Sequence, residues 1–413
     1  MPVPELGGQV RRREFITLLG GGAATWSLAA HAQQGRDPHI NIGVLTDMSG
    51  LFAPLAGEGS VVAAQMAVDD FGGEVLGKRI RVLFGDHKHE VDVASAIATQ
   101  WFNDEHVGAV VDMPNSTIAL ATQKLADAHD RIAVTVSGGT SDLTGKACTN
   151  TGFHWAYDTY SNTVGIARAM VGFGLDTWYF ITANYSFGWT LEQDASSAVK
   201  RAGGTVIGRS LHSLNTDNFS EYLTAAQDSG AKVIALANAG GDTINAVRQA
   251  AEIGISPRSQ TLVPLLVFIS DVNTLGLEVA HGMTFVDGFY WDKNRRTRDW
   301  SNRFYARRGA MPTMSHADVY SAVLHYLRAV RASGTDEGKI VANSMRQLRV
   351  DDFFAPGGVL RTDGRLVHDM YLVEVKPPEE SRYPWDYYKI LSIIPGDKAF
   401  RPVAEGNCPL VPT

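Results

Sequence analysis

Short apolar runs alternate with longer segments of helical periodicity along most of the chain, and this order constrains the fold more than any other feature. The first round has strand-like runs at 40–45, 79–84, 108–111 and 132–136, and helical patterns at 59–71, 92–102 and 116–128. Strands that alternate with helices predict βαβ units, a parallel sheet and right-handed crossovers.

The alternation restarts near residue 160, which predicts a second unit of the same kind. Its strand-like runs lie at 177–182, 205–211 and 232–237, and its helical patterns at 160–173, 189–202, 218–229 and 242–252. Further helices are predicted within 297–349, and two more strands at 370–375 and 388–393. We therefore predict an α/β protein with two units of similar size in tandem.

The N-terminal 32 residues have the pattern of an export signal. The sequence RREF at 12–15 has twin-arginine spacing, an apolar run covers 16–30, and AHA at 30–32 offers the small residues that signal peptidase reads. The apolar run is shorter than the roughly 20 residues that a spanning helix needs. We predict a twin-arginine signal peptide at 1–32, cleavage near Ala32 and a mature chain in the periplasm.

The mature chain is acidic. Residues 1–32 contain three Arg and two Glu, so their removal leaves 34 basic against 42 acidic residues and changes the net charge from −7 to −8. Binding to nucleic acid without sequence preference needs a basic surface, so we expect no nucleic-acid partner. No later run is long and apolar enough to span a membrane, because the longest, at 261–269, contains Pro264.

The sequence contains two cysteines, Cys148 and Cys408. Export into an oxidising compartment permits a disulfide, although two distant cysteines are equally compatible with free thiols. We expect a bond between them, because the chain is exported and has only these two. The absence of a Cys-x-x-Cys pair argues against a thiol-based metal site.

Motifs of common enzyme classes are missing from the sequence. It has neither a Gly-x-Ser-x-Gly elbow nor a P-loop after the N-terminal segment. The cluster HKHE at 87–90 has no third ligand nearby, so we expect a solvated loop there, no metal and no cofactor. A secreted α/β serine hydrolase that uses Ser137 or Ser141 stays open as an alternative, although neither serine has a paired base in the sequence pattern.

Two loops rich in small and hydroxyl-bearing residues follow the third and fourth predicted strands. They read DMPNS at 112–116 and TVSGGTSDLTG at 135–145. The carboxyl ends of parallel strands meet at one edge of a sheet, where α/β proteins bind ligands. Asn115, Ser116, Thr140 and Ser141 stand where helices begin, so each is either an N-cap or a contact to an anionic ligand. We predict a ligand cup at this edge.

Five segments, taken in order and spacing, resemble the type I periplasmic solute-binding proteins of ABC importers, in the leucine/isoleucine/valine-binding family. They are IGVLTDMSG at 42–50, GEGSVVAAQMAVDDFGG at 57–73, VGAVVDMPNSTIALA at 107–121, TVSGGTSDLTG at 135–145 and YSFGW at 185–189. The resemblance implies two Rossmann-like lobes that close on a small-molecule ligand and are joined by three crossover segments. It also implies a binding protein without enzymatic activity, an ABC transporter permease as its partner, and a monomer.

The same resemblance implies lobe boundaries and site residues. We predict lobe 1 at 38–156 plus 288–361, and lobe 2 at 157–287 plus 362–413. Asn115 or Ser116 in one loop, and Gly138 with Thr140 in the other, would grip a ligand carboxylate.

Phe187 and Asn238 would face the ligand from the second lobe. Trp155 and Tyr157 lie at the first crossing between the lobes. Aromatic side chains at such a place either pack between the lobes or stack on the ligand, and both interpretations are open.

The expected ligand departs from an ordinary amino acid. In the amino-acid binders of the family, an acidic side chain of the second lobe meets the ammonium group, but the corresponding stretch at 265–269 has no charge. Asp271, Asp112 and Asp158 are other candidates for that role. Because a buried ammonium group without a partner is costly, we expect an aromatic or other apolar carboxylate in preference to leucine. A sensor-linked binding protein of the same fold is a further alternative.

Overall fold

The computed structural model describes residues 38–255 and 259–412, so the predicted signal peptide at 1–32 lies outside the described residues. The β-strands are β1 (His39–Thr46), β2 (Glu74–Val75), β3 (Lys78–Asp86), β4 (Val107–Asp112), β5 (Ile132–Thr135), β6 (Gly152–His154), β7 (Thr177–Ala183), β8 (Thr205–His212), β9 (Val233–Ala237), β10 (Thr261–Pro264), β11 (Thr284–Asp287), β12 (Val359–Leu360), β13 (Leu366–Val367), β14 (Met370–Val375) and β15 (Tyr388–Ile394). The α-helices are α1 (Gly57–Phe71), α2 (Val91–Asn103), α3 (Ser116–Ala128), α4 (Ser161–Gly172), α5 (Ser186–Arg201), α6 (Ser220–Asp228), α7 (Gly241–Glu252), α8 (Ile269–Leu275), α9 (Leu277–Ala280), α10 (Arg295–Arg308), α11 (Met314–Ser333), α12 (Gly338–Gln347) and α13 (Gly396–Ala399).

The first sheet has six strands in the order β2-β3-β1-β4-β5-β6. Strands β1, β4, β5 and β6 pair in parallel, and β2 pairs with β3 in the antiparallel sense. Both β4 and β5 are buried along their whole lengths. Continuous burial is typical of parallel strands that helices cover on both faces, which explains why these strands read as unbroken apolar runs in the sequence.

The second sheet has four parallel strands in the order β10-β9-β7-β8. A third sheet is antiparallel, with the order β11-β14-β15, and β12 pairs with β13. Six strands of the described chain are too short or too poorly bounded to be predicted from periodicity, namely β2, β6, β10, β11, β12 and β13. The sequence pattern also gives no indication of the short helices α8 and α9.

The chain passes three times between the first sheet and the other two. It leaves the first sheet after β6, and α4 packs against β11. It returns after β11, so that α11 packs against α1 and α12 against β5. It leaves again before β14, which joins the third sheet. These passages give two Rossmann-like lobes joined by three crossover segments, and the predicted fold class is confirmed.

The C-terminal tail is fixed to the loop that follows β5. Cys148 and Cys408 form a disulfide with a Cα–Cα distance of 5.6 Å. In the same region the guanidinium of Arg401 donates to the backbone oxygen of Ser141 at 2.9 Å. The tail therefore holds the segment just beyond the predicted ligand cup in place. Among the described residues, no helix combines the length and the apolar character needed to cross a membrane.

Candidate functional site

The ends of β4 and β5 lie side by side. Asp112 and Thr135, the last residues of the two strands, are partners in the parallel register. The loops that follow, 113–115 and 136–140, therefore leave the sheet at one edge, as the sequence predicted. Helix α3 begins directly after the first loop at Ser116.

A pocket with a cavity volume of about 10 Å³ lies where these loops meet the second lobe. Among the described residues, the ones that line it are Phe52, Leu55, Pro114, Ser116, Ser137, Gly139, Tyr157, Tyr185, Phe187, Ala239, Leu266 and Phe268. Five of these are aromatic and none carries a charge. Ligand pockets generally occupy about 300–1,000 Å³, so the lobes must separate or these side chains must move before a ligand enters. The lining that such a ligand would meet is largely apolar.

Every lining residue follows the carboxyl end of a parallel strand. By strand they are Phe52 and Leu55 after β1, Pro114 and Ser116 after β4, Ser137 and Gly139 after β5, Tyr157 after β6, Tyr185 and Phe187 after β7, Ala239 after β9, and Leu266 and Phe268 after β10. Both lobes thus turn the ligand-binding edges of their sheets toward one space. This is the position at which open α/β sheets bind small molecules.

Three of the residues expected at the site line this pocket, namely Ser116, Tyr157 and Phe187. The phenol of Tyr157 donates to the backbone oxygen of Ser137 at 2.6 Å, which fixes the loop after β5. Gly139 lies against two of the pocket's aromatic rings. A Cβ atom at Gly139 would come within 2.7 Å of the Phe187 ring and 2.8 Å of the Tyr157 ring.

Asn115, expected at the site, lies just outside the pocket and caps helix α3. Its Oδ1 accepts from the backbone N–H groups of Thr117 at 2.9 Å and Ile118 at 3.3 Å. Thr140 is also outside the pocket, and its hydroxyl lies 3.0 Å from the hydroxyl of Thr190 in the second lobe. Thr140 thereby joins the two lobes beside the pocket.

Gly138, Trp155 and Asn238 lie in the surrounding core and not on the pocket wall. A Cβ atom at Gly138 would meet the backbone oxygen of Met113 at 2.7 Å. The indole of Trp155 is fully buried and donates to Ser321 Oγ at 3.0 Å.

Asn238 is likewise occupied by protein partners. Its side chain lies 3.1 Å from His212 Nε2 and accepts from Thr243 at 2.8 Å. Its neighbour Ala239 reaches the pocket in its place.

Several donors at the pocket have no acceptor in the described part of the chain. The hydroxyl of Ser116 accepts from the backbone N–H of Thr140 at 3.1 Å, so its own proton is free to be donated. The backbone N–H of Gly139 and the phenol of Tyr185 are also without a protein acceptor in this part of the chain. Because Ser116 starts helix α3, the helix dipole adds positive potential at this point. The arrangement can bind a carboxylate.

The three carboxylates that the sequence offered as partners of an ammonium group are engaged elsewhere. Asp271 accepts from the backbone N–H of Phe268 at 2.9 Å, and burial raises the pKa of Asp271 to about 7. Asp158 accepts from the backbone N–H of Ser161 at 2.7 Å at the start of α4. Asp112 lies behind Ser137, whose hydroxyl is 2.5 Å from Asp112 Oδ1. None of the three lines the pocket.

Asp47 shapes the wall that β1 contributes. Its carboxylate accepts from the backbone N–H groups of Gly50 and Phe52, each at 2.7 Å, and lies 2.6 Å from His89 Nε2. Burial acts to raise the pKa of Asp47, but the bonds from His89 and the backbone outweigh it and lower this pKa to about 2. His89, the second histidine of the HKHE cluster, thus supports the loop that carries Phe52. Within residues 38–255 and 259–412, no three His, Cys, Asp or Glu side chains converge on a point that could hold a metal ion.

Some pocket residues that were not predicted lie close to predicted ones in the sequence. Three pocket residues lie one or two positions from a predicted one: Gly139 beside Gly138, Ala239 beside Asn238, and Tyr185 near Phe187. The position of a loop after a strand therefore predicts which loop meets the ligand, but not which of its residues faces the pocket. Phe52, Leu55, Leu266 and Phe268 follow the ends of β1 and β10 by the same rule. Their apolar character reads as core, which conceals their place in the pocket.

Residues 39–381 match a family model described as periplasmic binding protein. A periplasmic binding protein from Burkholderia mallei is 42% identical with a TM-score of 0.88, over 90% of this chain and 99% of the other. A branched chain amino acid ABC transporter periplasmic ligand-binding protein from Burkholderia xenovorans LB400 is 35% identical with a TM-score of 0.81, over 90% and 99%.

An amino acid ABC transporter substrate-binding protein from Pseudomonas fluorescens Pf-5 is 25% identical with a TM-score of 0.81, again over 90% and 99%. No curated protein matches the chain.

Proposed function

Because the chain belongs to the periplasmic binding protein family, we propose that it captures a small carboxylate-bearing solute between its two lobes and delivers it to an ABC transporter. The observation that carries this proposal is the pocket itself. Residues that follow seven parallel strands, drawn from both lobes, enclose one small space without a charged side chain. A site built in this way can hold and release a solute without changing it.

We assign the carboxylate end of the solute to the start of helix α3. The hydroxyl of Ser116 and the backbone N–H of Gly139 supply donors there, and the helix N-terminus favours an anion. Hydrogen bonds to a charged group are worth about 1.5–3 kcal/mol each, so two or three of them account for micromolar binding when apolar burial is added.

We assign the body of the solute to the aromatic part of the pocket. Phe52, Phe187 and Phe268 offer apolar faces, and the wall contains no carboxylate that would meet an ammonium group. Because an unpaired buried ammonium is costly, this wall favours an aromatic or other apolar acid over leucine or valine. The free phenol of Tyr185 is a further hydrogen-bonding point for a polar substituent.

The proposal includes the export route and the partners. The mature protein works in the periplasm after cleavage near Ala32, as a monomer, and its partner is the permease of the transporter. We retain the lobe boundaries 38–156 plus 288–361 and 157–287 plus 362–413 as part of it.

Two alternative functions are a receptor that reports to a sensor and a secreted serine hydrolase. A receptor that reports to a sensor instead of an importer has the same pocket requirements, so its gene neighbours and its membrane partner distinguish it. The serine hydrolase alternative is less well supported than binding. The hydroxyls of Ser137 and Ser141 lie next to Asp112 and Asp194, and neither is bonded to a histidine in the described residues.

A thermal-shift series on the mature protein tests the proposal. Benzoate, 4-hydroxybenzoate, cinnamate and phenylacetate are compared with leucine and valine, each at millimolar concentration. We expect at least one aromatic acid to raise the melting temperature by several degrees, since ligand at 100 times its Kd adds about 2.7 kcal/mol. Strong stabilisation by leucine or valine with silent aromatic acids would overturn the ligand class, and no response to any acid would overturn the binding function.

Two phenylalanine variants distinguish an effect on the pocket from a general effect on the fold. Phe187→Ala removes an aromatic wall of the pocket, whereas Phe173→Ala removes a side chain that is 81% exposed. The shift produced by the best acid should shrink in Phe187→Ala and remain in Phe173→Ala.

A further inference from the structure

Asp112 is a buried carboxyl that sits directly behind the pocket. It ends β4 with a positive φ of 86° and is completely buried. Its Oδ1 lies 2.5 Å from the hydroxyl of Ser137, and Ser137 lines the pocket. Its Oδ2 is buried without a hydrogen-bond partner in the described part of the chain. A buried carboxylate oxygen without a partner marks a group whose charged form is poorly accommodated.

Among the described residues, no cation is one of the groups that act most strongly on Asp112. The titratable groups that act on it are Asp47, on the loop after β1, and Tyr157, after β6. Asp47 has the same sign of charge and is itself bonded to His89. Helix α1 through Ser60, strand β1 through Thr46, and the loop after β5 through Ser137 present hydroxyls to Asp112. Burial raises the pKa of Asp112 above its ordinary value, and these hydroxyls only partly oppose that effect.

The protonation state of Asp112 decides what Ser137 offers to the pocket. Next to an ionised Asp112, the hydroxyl of Ser137 must donate to the carboxylate, and only its lone pairs remain for a ligand. Next to a protonated Asp112, the carboxyl O–H can donate to Ser137 Oγ instead. The hydroxyl proton of Ser137 is then available to a ligand in the pocket.

We propose that Asp112 is a positioning residue that couples the binding of the ligand carboxylate to the uptake of one proton. The proton comes from the solvent, binds to Asp112, and returns to the solvent when the ligand leaves. Uptake removes a negative charge that would repel the ligand and turns Ser137 into a donor toward it. This inference rests on the proposed function, because it concerns the same pocket and an anionic ligand.

Calorimetric titration between pH 6 and pH 9 tests the coupling. The probe is benzoate or cinnamate, whichever raises the melting temperature more, and both remain ionised throughout this range. We expect the Kd of the wild-type protein to rise with pH above the pKa of Asp112, by up to about tenfold per pH unit for one coupled proton. Titrations in two buffers of different ionisation enthalpy should show a net uptake of protons on binding.

Asp112→Asn removes the titration and keeps the shape. Asparagine tolerates a positive φ, and its amide can donate to Ser137 Oγ as the protonated acid does. We expect a Kd that is independent of pH and no proton uptake. Asp112→Gly, which fits the backbone without strain, should also lose the pH dependence but bind more weakly, because nothing then orients Ser137.

Asp194→Asn is the matched control. Asp194 is a half-buried carboxyl that two hydroxyls contact, Ser141 at 2.9 Å and Thr159 at 2.6 Å, but neither Ser141 nor Thr159 lines the pocket. This variant should keep the pH dependence of the wild-type protein.

A wild-type Kd that does not change with pH, or an Asp112→Asn protein that keeps the wild-type slope, would overturn the coupling and leave the binding function intact. If the wild-type protein binds no carboxylate at any pH, both the coupling and the proposed function fail.

Discussion

At the scale of the residue, Asp287 places an acidic group where water cannot reach it. It ends β11, is almost completely buried, and accepts from the backbone N–H of Phe289 at 2.9 Å. Burial raises its pKa from 3.8 to about 7. The folded protein therefore holds a proton on Asp287 that the unfolded chain loses near pH 4, so this group's contribution to stability falls as the pH rises from about 4 to 7.

Asp287→Asn should stabilise the protein at pH 8 and leave its stability nearly unchanged at pH 4. The gain is roughly 4 kcal/mol at most, at about 1.4 kcal/mol per pKa unit, because asparagine keeps the acceptor for Phe289 but carries no charge. Urea unfolding at the two pH values measures it. The control is Asp299→Asn, at a side chain that is 67% exposed, which should show no such difference. Equal effects of Asp287→Asn at both pH values would contradict this account.

Gly139 shows how closely the backbone approaches the aromatic wall. Gly139→Ala would place a Cβ atom within 2.7 Å of the Phe187 ring and 2.8 Å of the Tyr157 ring, so the rings must move. Overpacking of this kind costs about 1–3 kcal/mol, and we expect ligand affinity to fall roughly 5- to 150-fold in titration calorimetry. Gly172→Ala is the control, since nothing lies within 4 Å of a Cβ atom there. An unchanged Kd for Gly139→Ala would show that the rings do not contact the ligand.

At the scale of the element, the N-cap residue Asn115 stabilises the start of helix α3, which is also the end of the helix that faces the pocket. Asn115 accepts two backbone N–H groups of the first turn. Asn115→Ala should lower the free energy of unfolding by about 0.5–2 kcal/mol, whereas Asn115→Ser keeps a capping oxygen and should lose much less. Urea unfolding of both variants checks this. If serine and alanine destabilise equally, the cap is not what Asn115 contributes.

The elements also show what can be predicted from the sequence and what cannot. Helix α3 has the predicted bounds, 116–128, because an N-cap and a clear apolar periodicity define it. Strand β10 ends at Pro264, but the apolar run continues beyond it, and Leu266 and Phe268 of that continuation line the pocket. The apolar residues of the strand and those of the pocket therefore form one continuous run, and periodicity alone cannot show where the strand ends.

The candidate site is likewise predictable in part from the sequence. The order of strands and helices is enough to predict which loops meet at the ligand-binding edge. Which side chain of each loop faces inward depends on backbone angles such as φ values of 86° at Asp112 and 58° at Met113. Non-glycine residues rarely adopt positive φ, and nothing in residue types alone announces it here. The loops are therefore predictable from the sequence, whereas pocket residues such as Gly139 and Ala239 are not.

At the scale of the whole molecule, the two lobes touch across the mouth of the pocket. The loop after β1 meets the start of α7, where a Cβ atom at Gly241 would come within 2.8 Å of the Cδ1 atom of Leu51. At a second contact between the lobes, the hydroxyls of Thr140 and Thr190 lie 3.0 Å apart. The lobes are thus close together in this structure, and ligand capture by lobe closure needs that contact to form.

Gly241→Leu should act as a wedge in this contact. Its side chain would occupy the space of Leu51, so the lobes could not come as close, and the affinity for the best acid should fall at least tenfold. X-ray scattering should show a larger radius of gyration for the liganded variant than for the liganded wild-type protein. Gly241→Ala is the graded control, because the end of the Leu51 side chain can move aside for a single methyl group. The free energy of unfolding without ligand should be similar in all three proteins, since the wedge opposes only closure. Wild-type affinity and an unchanged radius in Gly241→Leu would mean that binding does not require the lobes to meet at Leu51.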